Sequence, residues 1–199
     1  MSEKKQPLLF IISGPAGSGK TTLCERLLGE FSALRRAVTA TTRAPREGEE
    51  NGRDYHFFTL EEFEAKKSRA EFLEWAFVHG RAYGTLTNEI TRHFDRDEDV
   101  LLNIDVQGMR QVKEKSSSIA WLADQVVTVF INPPSLNELR SRLKKRGTDD
   151  EVEIERRIQT AEREMESTEE FDFILETRSR EEDYDRIRSI YLAEKMRTR

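Results

Sequence analysis

LLFIISGPAGSGKTTLCERLL, Leu8 to Leu28, decides the fold. The apolar run Leu8 to Ser13, ended by glycine, reads as a buried strand, and Leu23, Leu27, Leu28 and Phe31 recur at helical spacing. Between them Gly14 to Thr21 fits GxxxxGK followed by Ser or Thr. In that context the glycines let successive backbone N–H groups turn inward around phosphate oxygens, and the helix N-terminus adds its partial positive charge. The candidate phosphate-binding residues are therefore Gly14, Pro15, Ala16, Gly17, Ser18, Gly19, Lys20, Thr21 and Thr22. Lys20 is expected to reach the β- and γ-phosphates of a nucleoside triphosphate, and the Thr21 hydroxyl to ligate Mg²⁺ directly. Thr22 could equally serve only to start the helix.

Three further apolar runs read as buried strands: Val100 to Ile104, Val126 to Ile131 and Phe171 to Leu175. Helical patterns separate or follow them, which implies an α/β fold with a parallel sheet flanked by helices and ligands at the carboxyl ends of the strands. From Val38 to Thr85 the composition changes. Short strand-like pieces (VTAT, DYHFF, LEWAFV) surround the helix-like LEEFEAKK, as in an inserted mixed α+β module. Residues 135–167 read as two helices around Gly147, with Ser135 as the first cap, and could form a lid. A last helix spans about Glu181 to Met196. The organisation expected is one domain over 1–199: a core of 1–37, 86–134 and 168–199, the insertion 38–85 and the lid 135–167.

Composition limits the partners. The 199 residues are 36% hydrophobic and 36% charged, with net charge −5, which disfavours a general nucleic-acid or anionic-membrane binder. The longest apolar run, LLFII, is too short for a membrane span or a signal-peptide core, so a cytoplasmic location is expected. The single cysteine, Cys24, cannot form an internal disulfide and reads as a packing residue. His56, His79 and His93 lack ligand spacing for zinc.

A phosphate loop alone suits GTPases, motors and small-molecule kinases, so the acceptor must be read elsewhere. TTRAPREGEENGRDYHF gathers Arg43, Arg46 and Tyr55, and GRAYGT places Tyr83 near a second turn. Two guanidinium forks and two phenols suit a phosphate monoester. The plainer alternative makes the arginines solvated loop charges and the tyrosines amphipathic core residues.

VTATTRAPREGEENGRDYHF, FLEWAFVHGRAYGT, IDVQG and PPSLNELRSRLKKRGT, together with GPAGSGKTT, resemble guanylate kinase in order and spacing over nearly the whole chain. The resemblance implies a P-loop kinase core in which ATP, with Mg²⁺, donates its γ-phosphate to GMP, dGMP being an expected second acceptor. It implies that Arg43, Arg46, Tyr55 and Tyr83 grip the GMP phosphate, and that Thr39, Glu74 and Thr85 read the guanine. The plain alternative for Glu74 is an exposed strand carboxylate. Asp105 could bind guanine or order magnesium-bound water. Lys20, Arg43, Arg146 and Arg157 are the implied catalytic residues, Arg146 and Arg157 belonging to the lid. Arg140, Arg142, Lys144 and Lys145 read as a solvated helix face, with Arg142 a weaker lid candidate.

Three positions depart from the family pattern: Ala82 where an aromatic is common, Asn103 where an acid is usual, and Thr177 where an asparagine usually helps to hold adenine. Two rivals remain, a non-catalytic guanylate-kinase-like module that binds phosphorylated partners, and a kinase for another nucleotide or phosphorylated sugar. Lys20, Thr21, Arg146 and Arg157 argue against the first, and Glu74 with Thr39 and Thr85 against the second.

Overall fold

A computed structural model describes residues 6–78, 80–147 and 150–198, apart from the Arg146 side chain; His79 lies outside the described residues. β1 (Leu9–Ser13) is buried along its whole length, as a strand covered on both faces must be. The glycine loop then leads into α1 (Lys20–Glu30). β2 (Leu34–Arg36) is a strand that the sequence pattern does not predict. Only Leu34 of its three residues is buried, so it carries no alternation to detect.

The region read as an insertion contains β3 (Ala40–Thr41), β4 (His56–Phe57), α2 (Leu60–Ser68), β5 (Phe72–Val78) and β6 (Arg81–Leu86), and α3 (Thr87–Phe94) follows it. GRAYGT, expected to place Tyr83 near a turn, starts at the turn residue Gly80 and continues as β6. Next come β7 (Asp99–Asn103), α4 (Val106–Ser116) and β8 (Val126–Asn132). The chain ends with α5 (Leu136–Arg146), α6 (Glu151–Met165), β9 (Phe173–Glu176) and α7 (Arg180–Met196).

Two sheets result. The first is parallel, in the order β2-β7-β1-β8-β9, and is flanked by helices. The second, β4-β3-β6-β5, is mixed: β3 pairs parallel with β4 and antiparallel with β6, which pairs antiparallel with β5. The expected α/β class and a separate mixed sheet are both present.

The chain divides into two compact units. One comprises the chain up to Leu9, 33–100 and 107–126. Within it Ala40, Phe63, Phe72, Ala82 and Leu86 form a core against which Phe58 and Trp75 pack. α2 starts at a capping box in which Thr59 and Glu62 each accept the other's backbone N–H. The other unit comprises 10–32, 101–106 and 127–199. There α5 and α6 pack through Leu139, Leu143, Ile154, Ile158 and Ala161. Ser135 caps α5 by accepting the Glu138 N–H, as the sequence predicts, and Gly147 ends it at φ 68°.

Candidate active site

The phosphate loop starts under tight backbone constraint. Gly14 has φ 137°, and a Cβ there would lie 2.5 Å from the Ile131 carbonyl oxygen, so only glycine lets the loop run this close to β8. Lys20, the first residue of α1, turns its ammonium back to donate to the carbonyls of Gly14 (2.5 Å) and Pro15 (2.8 Å). Burial pushes the Lys20 pKa down, and the charges of Glu164, Cys24 and Asp105 push it back up. Glu164, near the end of α6, is itself pushed up by burial, while Lys20 pulls it down and Asp105 raises it.

Lys20, Asp105 and Glu164 thus form one electrostatic cluster. No motif in the sequence points to Glu164, since the lid draws attention by its cations. Its signal is a carboxylate three residues after Ala161, beside the buried stripe of α6. Thr21 and Thr22 are exposed at the start of α1, whereas the hydroxyls of Ser13 and Ser18 are buried with no protein hydrogen-bond partner. On α6, Arg157 donates to Glu153 at 3.0 Å. The expected lid cations Arg140, Arg142 and Lys144 pair with Glu155, Glu138 and Glu151, as a solvated helix face does.

The residues expected to hold the acceptor lie in the other unit. Arg43 donates through both terminal nitrogens to the two carboxylate oxygens of Glu49, each at 2.9 Å, and to the Ala44 carbonyl at 2.7 Å. This pairing raises the Arg43 pKa and lowers that of Glu49, with a hydrogen bond to Tyr83 also supporting the guanidinium. The guanidinium carbon stands 5.4 Å from the Tyr55 ring centre, and the Tyr55 and Tyr83 ring centres are 6.3 Å apart. Arg43, Tyr55 and Tyr83 are therefore brought together. Arg46 joins them through its backbone, which donates to Glu49 at 2.7 Å, and the residue is exposed. Glu49 lies within the TTRAPREGEENGRDYHF motif, but nothing in the sequence marks it as the partner of Arg43.

The second group is a row across strands. A register shift between Phe72 and Glu74 sets Glu74 opposite Thr85 on β6. β3 pairs Ala40 with Gly84 and Thr41 with Tyr83 on β6, and Thr39 immediately precedes β3. Glu74 is only 4% exposed and Thr85 0%, and the Thr85 hydroxyl donates to Glu74 at 2.5 Å. The reading of Glu74 as an exposed carboxylate is thereby overturned, because the bulge buries three successive residues where simple alternation would expose one.

The backbone beside Glu74 is clamped from α4. The Gln111 amide donates to the Trp75 carbonyl (2.8 Å) and accepts its N–H (3.1 Å), while Lys115 donates to the Phe72 carbonyl (2.6 Å). A Cβ on Gly84 would lie 2.7 Å from the Glu74 carbonyl oxygen, so this close strand pairing also requires glycine. Neither Gln111 nor Lys115 carries a motif, and only the packing of α4 on β5 gives them this task.

The family model described as guanylate kinase matches residues 6–194. The chain belongs to the guanylate kinase family. It is similar to a guanylate kinase of Caldanaerobacter subterraneus subsp. tengcongensis, at 41% identity over 197 residues, covering 99% of this chain and 92% of that one. A Campylobacter jejuni guanylate kinase is 40% identical over 197 residues, covering 98% and 92%. Among solved structures, guanylate kinase from Anaplasma phagocytophilum matches with TM-score 0.74 at 31% identity, covering 98% of this chain and 89% of that one.

The three departures from the guanylate kinase pattern have different surroundings. Ala82 is fully buried in the core of its unit, so the missing aromatic is a change of core volume as well as of stacking area. Asn103 is exposed at the end of β7. Thr177 is buried, its N–H donating to the Asn132 carbonyl at 2.8 Å, and its hydroxyl has no protein partner.

Proposed function

We infer that the row Thr39, Thr85 and Glu74 reads the guanine of GMP, while Arg43, Arg46, Tyr55 and Tyr83 hold its phosphate. The enzyme transfers the γ-phosphate of ATP to GMP, giving ADP and GDP. The observation that carries the residue assignment is the buried Glu74 carboxylate aligned with Thr85. Burying a carboxylate is costly unless donors meet it. Guanine offers two adjacent donors, N1–H and the exocyclic amine, that one carboxylate accepts in parallel. Adenine offers no such pair, and buried polar groups left unpaired penalise it.

On this reading residues 38–85 are the GMP-binding insertion and 135–167 the lid. The intact phosphate loop favours catalysis over the phosphopeptide-binding alternative. Gly14 to Thr22 cradle the ATP phosphates, with the unpartnered Ser13 and Ser18 hydroxyls supporting a polar ligand there. Lys20 leaves its loop carbonyls to meet the β- and γ-phosphates. Arg157 meets the charge that develops on the transferred group, as does Arg146 by its place in the family pattern.

The oxygen donors near Lys20 fit Mg²⁺, a hard cation that takes one or two protein ligands beside substrate phosphates. Thr21 would hold it directly and Asp105 through water, Asp105 being assigned to this side by its electrostatic reach to Lys20. Bound there, Mg²⁺ would neutralise phosphate charge. No general base is required, because a phosphate monoester has a second pKa of about 6 and is largely ionised at neutral pH.

No helix among the described residues is long and apolar enough to cross a membrane. A single buried cysteine, which can form no internal disulfide, fits a reducing cytoplasm, where we place the reaction. The test is ADP release with GMP, dGMP, AMP, CMP and UMP offered separately. Turnover confined to the guanine nucleotides is expected. Comparable rates with AMP would remove the base-reading role of the row.

A further inference from the structure

Glu89 lies outside every motif quoted above, yet it is only 3% exposed and sits in the first turn of α3, directly after the insertion ends. It accepts the backbone N–H of Val38, the residue at which the insertion begins, at 3.0 Å. Arg92 donates to its other oxygen at 2.8 Å. The Nε2 of His56, on β4, stands 3.8 Å from that same oxygen, and the Nε2 of His93 stands 3.5 Å from the first. Behind them, the Nδ1 of His93 meets Glu98 at 2.7 Å, and Glu98 accepts from Arg35 at 2.9 Å. All these residues belong to one compact unit.

The contacts fall beside GMP-site residues. Val38 precedes Thr39, assigned to the base, and His56 follows Tyr55, assigned to the phosphate. The two segments are also joined directly, the His56 N–H donating to the Thr39 carbonyl at 2.9 Å. One buried carboxylate on α3 therefore touches the chain next to a base reader and next to a phosphate reader.

We propose that Glu89 is a positioning residue for GMP, fixing the spacing between the base-reading row and the phosphate grip through Val38 and His56. The proposal rests on the GMP-site assignment above. A carboxylate suits the task because it accepts from several donors at once, and because burial makes any donor it releases costly to leave unpaired. It acts on the acceptor only, since its partners lie within the acceptor unit. An error of under about 1 Å between two recognition groups is enough to weaken a substrate that must satisfy both.

Glu89→Ala is expected to raise KM for GMP about tenfold, the loss of one charge-assisted hydrogen bond. KM for ATP and kcat at saturating GMP should stay within about threefold. Glu89→Gln keeps an acceptor oxygen for Val38 and should recover KM for GMP to within about threefold of the starting protein. His56→Phe removes the phosphate-side contact alone. It should raise KM for GMP about threefold without touching ATP, and it decides the matter if Glu89→Ala does not fold. Unchanged KM for GMP in folded Glu89→Ala or His56→Phe, or equal rises for GMP and ATP, would overturn the proposal. Glu74→Gln measured alongside separates the two levels: if it also leaves GMP unaffected, the site assignment fails, and if it alone impairs GMP, only the role of Glu89 fails.

Discussion

The phosphate loop and the module we assign to GMP handle charge in opposite ways. In the loop, a single ammonium, Lys20, is stored against two backbone carbonyls of its own turn, and we assign the remaining phosphate contacts to backbone N–H groups. In the module, side chains are paired to other side chains: Arg43 with Glu49 through two hydrogen bonds, and Glu74 with Thr85 across the bulge. A loop built from backbone recognises phosphate, which every nucleotide carries. On the proposed assignment, the Glu74–Thr85 pair discriminates between bases because it holds the carboxylate in one orientation, while the Arg43–Glu49 pair orients the phosphate grip.

The largest expected effect breaks the loop while sparing the module. Lys20→Ala should abolish phosphoryl transfer, by more than about a thousandfold, and leave calorimetric GMP affinity within about threefold. Near-normal turnover would remove Lys20 from catalysis.

Glu74→Gln breaks the module instead. It keeps one acceptor oxygen but sets an NH₂ against guanine's own donors, at a cost of about 2–4 kcal/mol, or roughly thirtyfold to a thousandfold in kcat/KM for GMP. AMP should lose little or gain slightly, since its edge presents one donor and one acceptor. Steady-state kinetics with both nucleotides measure this, and an equal loss for both would point to general damage of the hairpin.

A milder change sharpens the contrast. Glu49→Gln keeps the loop's shape but weakens the fork that orients Arg43, so KM for GMP should rise about fivefold while KM for ATP holds. No change in GMP affinity would show that Tyr55, Tyr83 and the Ala44 carbonyl suffice to orient Arg43.

The smallest effect separates charges paired for stability from those paired for a ligand. Hydrogen bonds from His93 and then Arg35 hold the Glu98 pKa at about 2, below its ordinary 4.5. A depressed carboxylate contributes stability that is present above pH 4.5 and lost as the pH falls towards 2. Glu98→Gln should therefore flatten the fall of melting temperature across that window without altering GMP kinetics at neutral pH. An unchanged acid profile would mean that this pairing adds nothing to folding.

The same contrast separates what is legible along the chain from what is not. Local chemistry determined the phosphate loop, since glycine spacing, Lys20 and the flanking strand and helix are all contiguous in the chain. It also determined β1, β7 and β8 as buried apolar runs, and the Ser135 cap, whose partner Glu138 is three residues away; β9 is a strand as expected, but only Leu175 of its four residues is buried, against the expectation of a buried strand. Only the tertiary structure decided the burial of Glu74, because a one-residue bulge changes which face a side chain takes and leaves no mark in composition. The same holds for Gln111, Lys115 and Glu89, whose partners lie 36, 43 and 51 residues away. A motif records contacts that the backbone enforces between neighbours, whereas a carboxylate or amide far along the chain acquires its task only when packing supplies the partner.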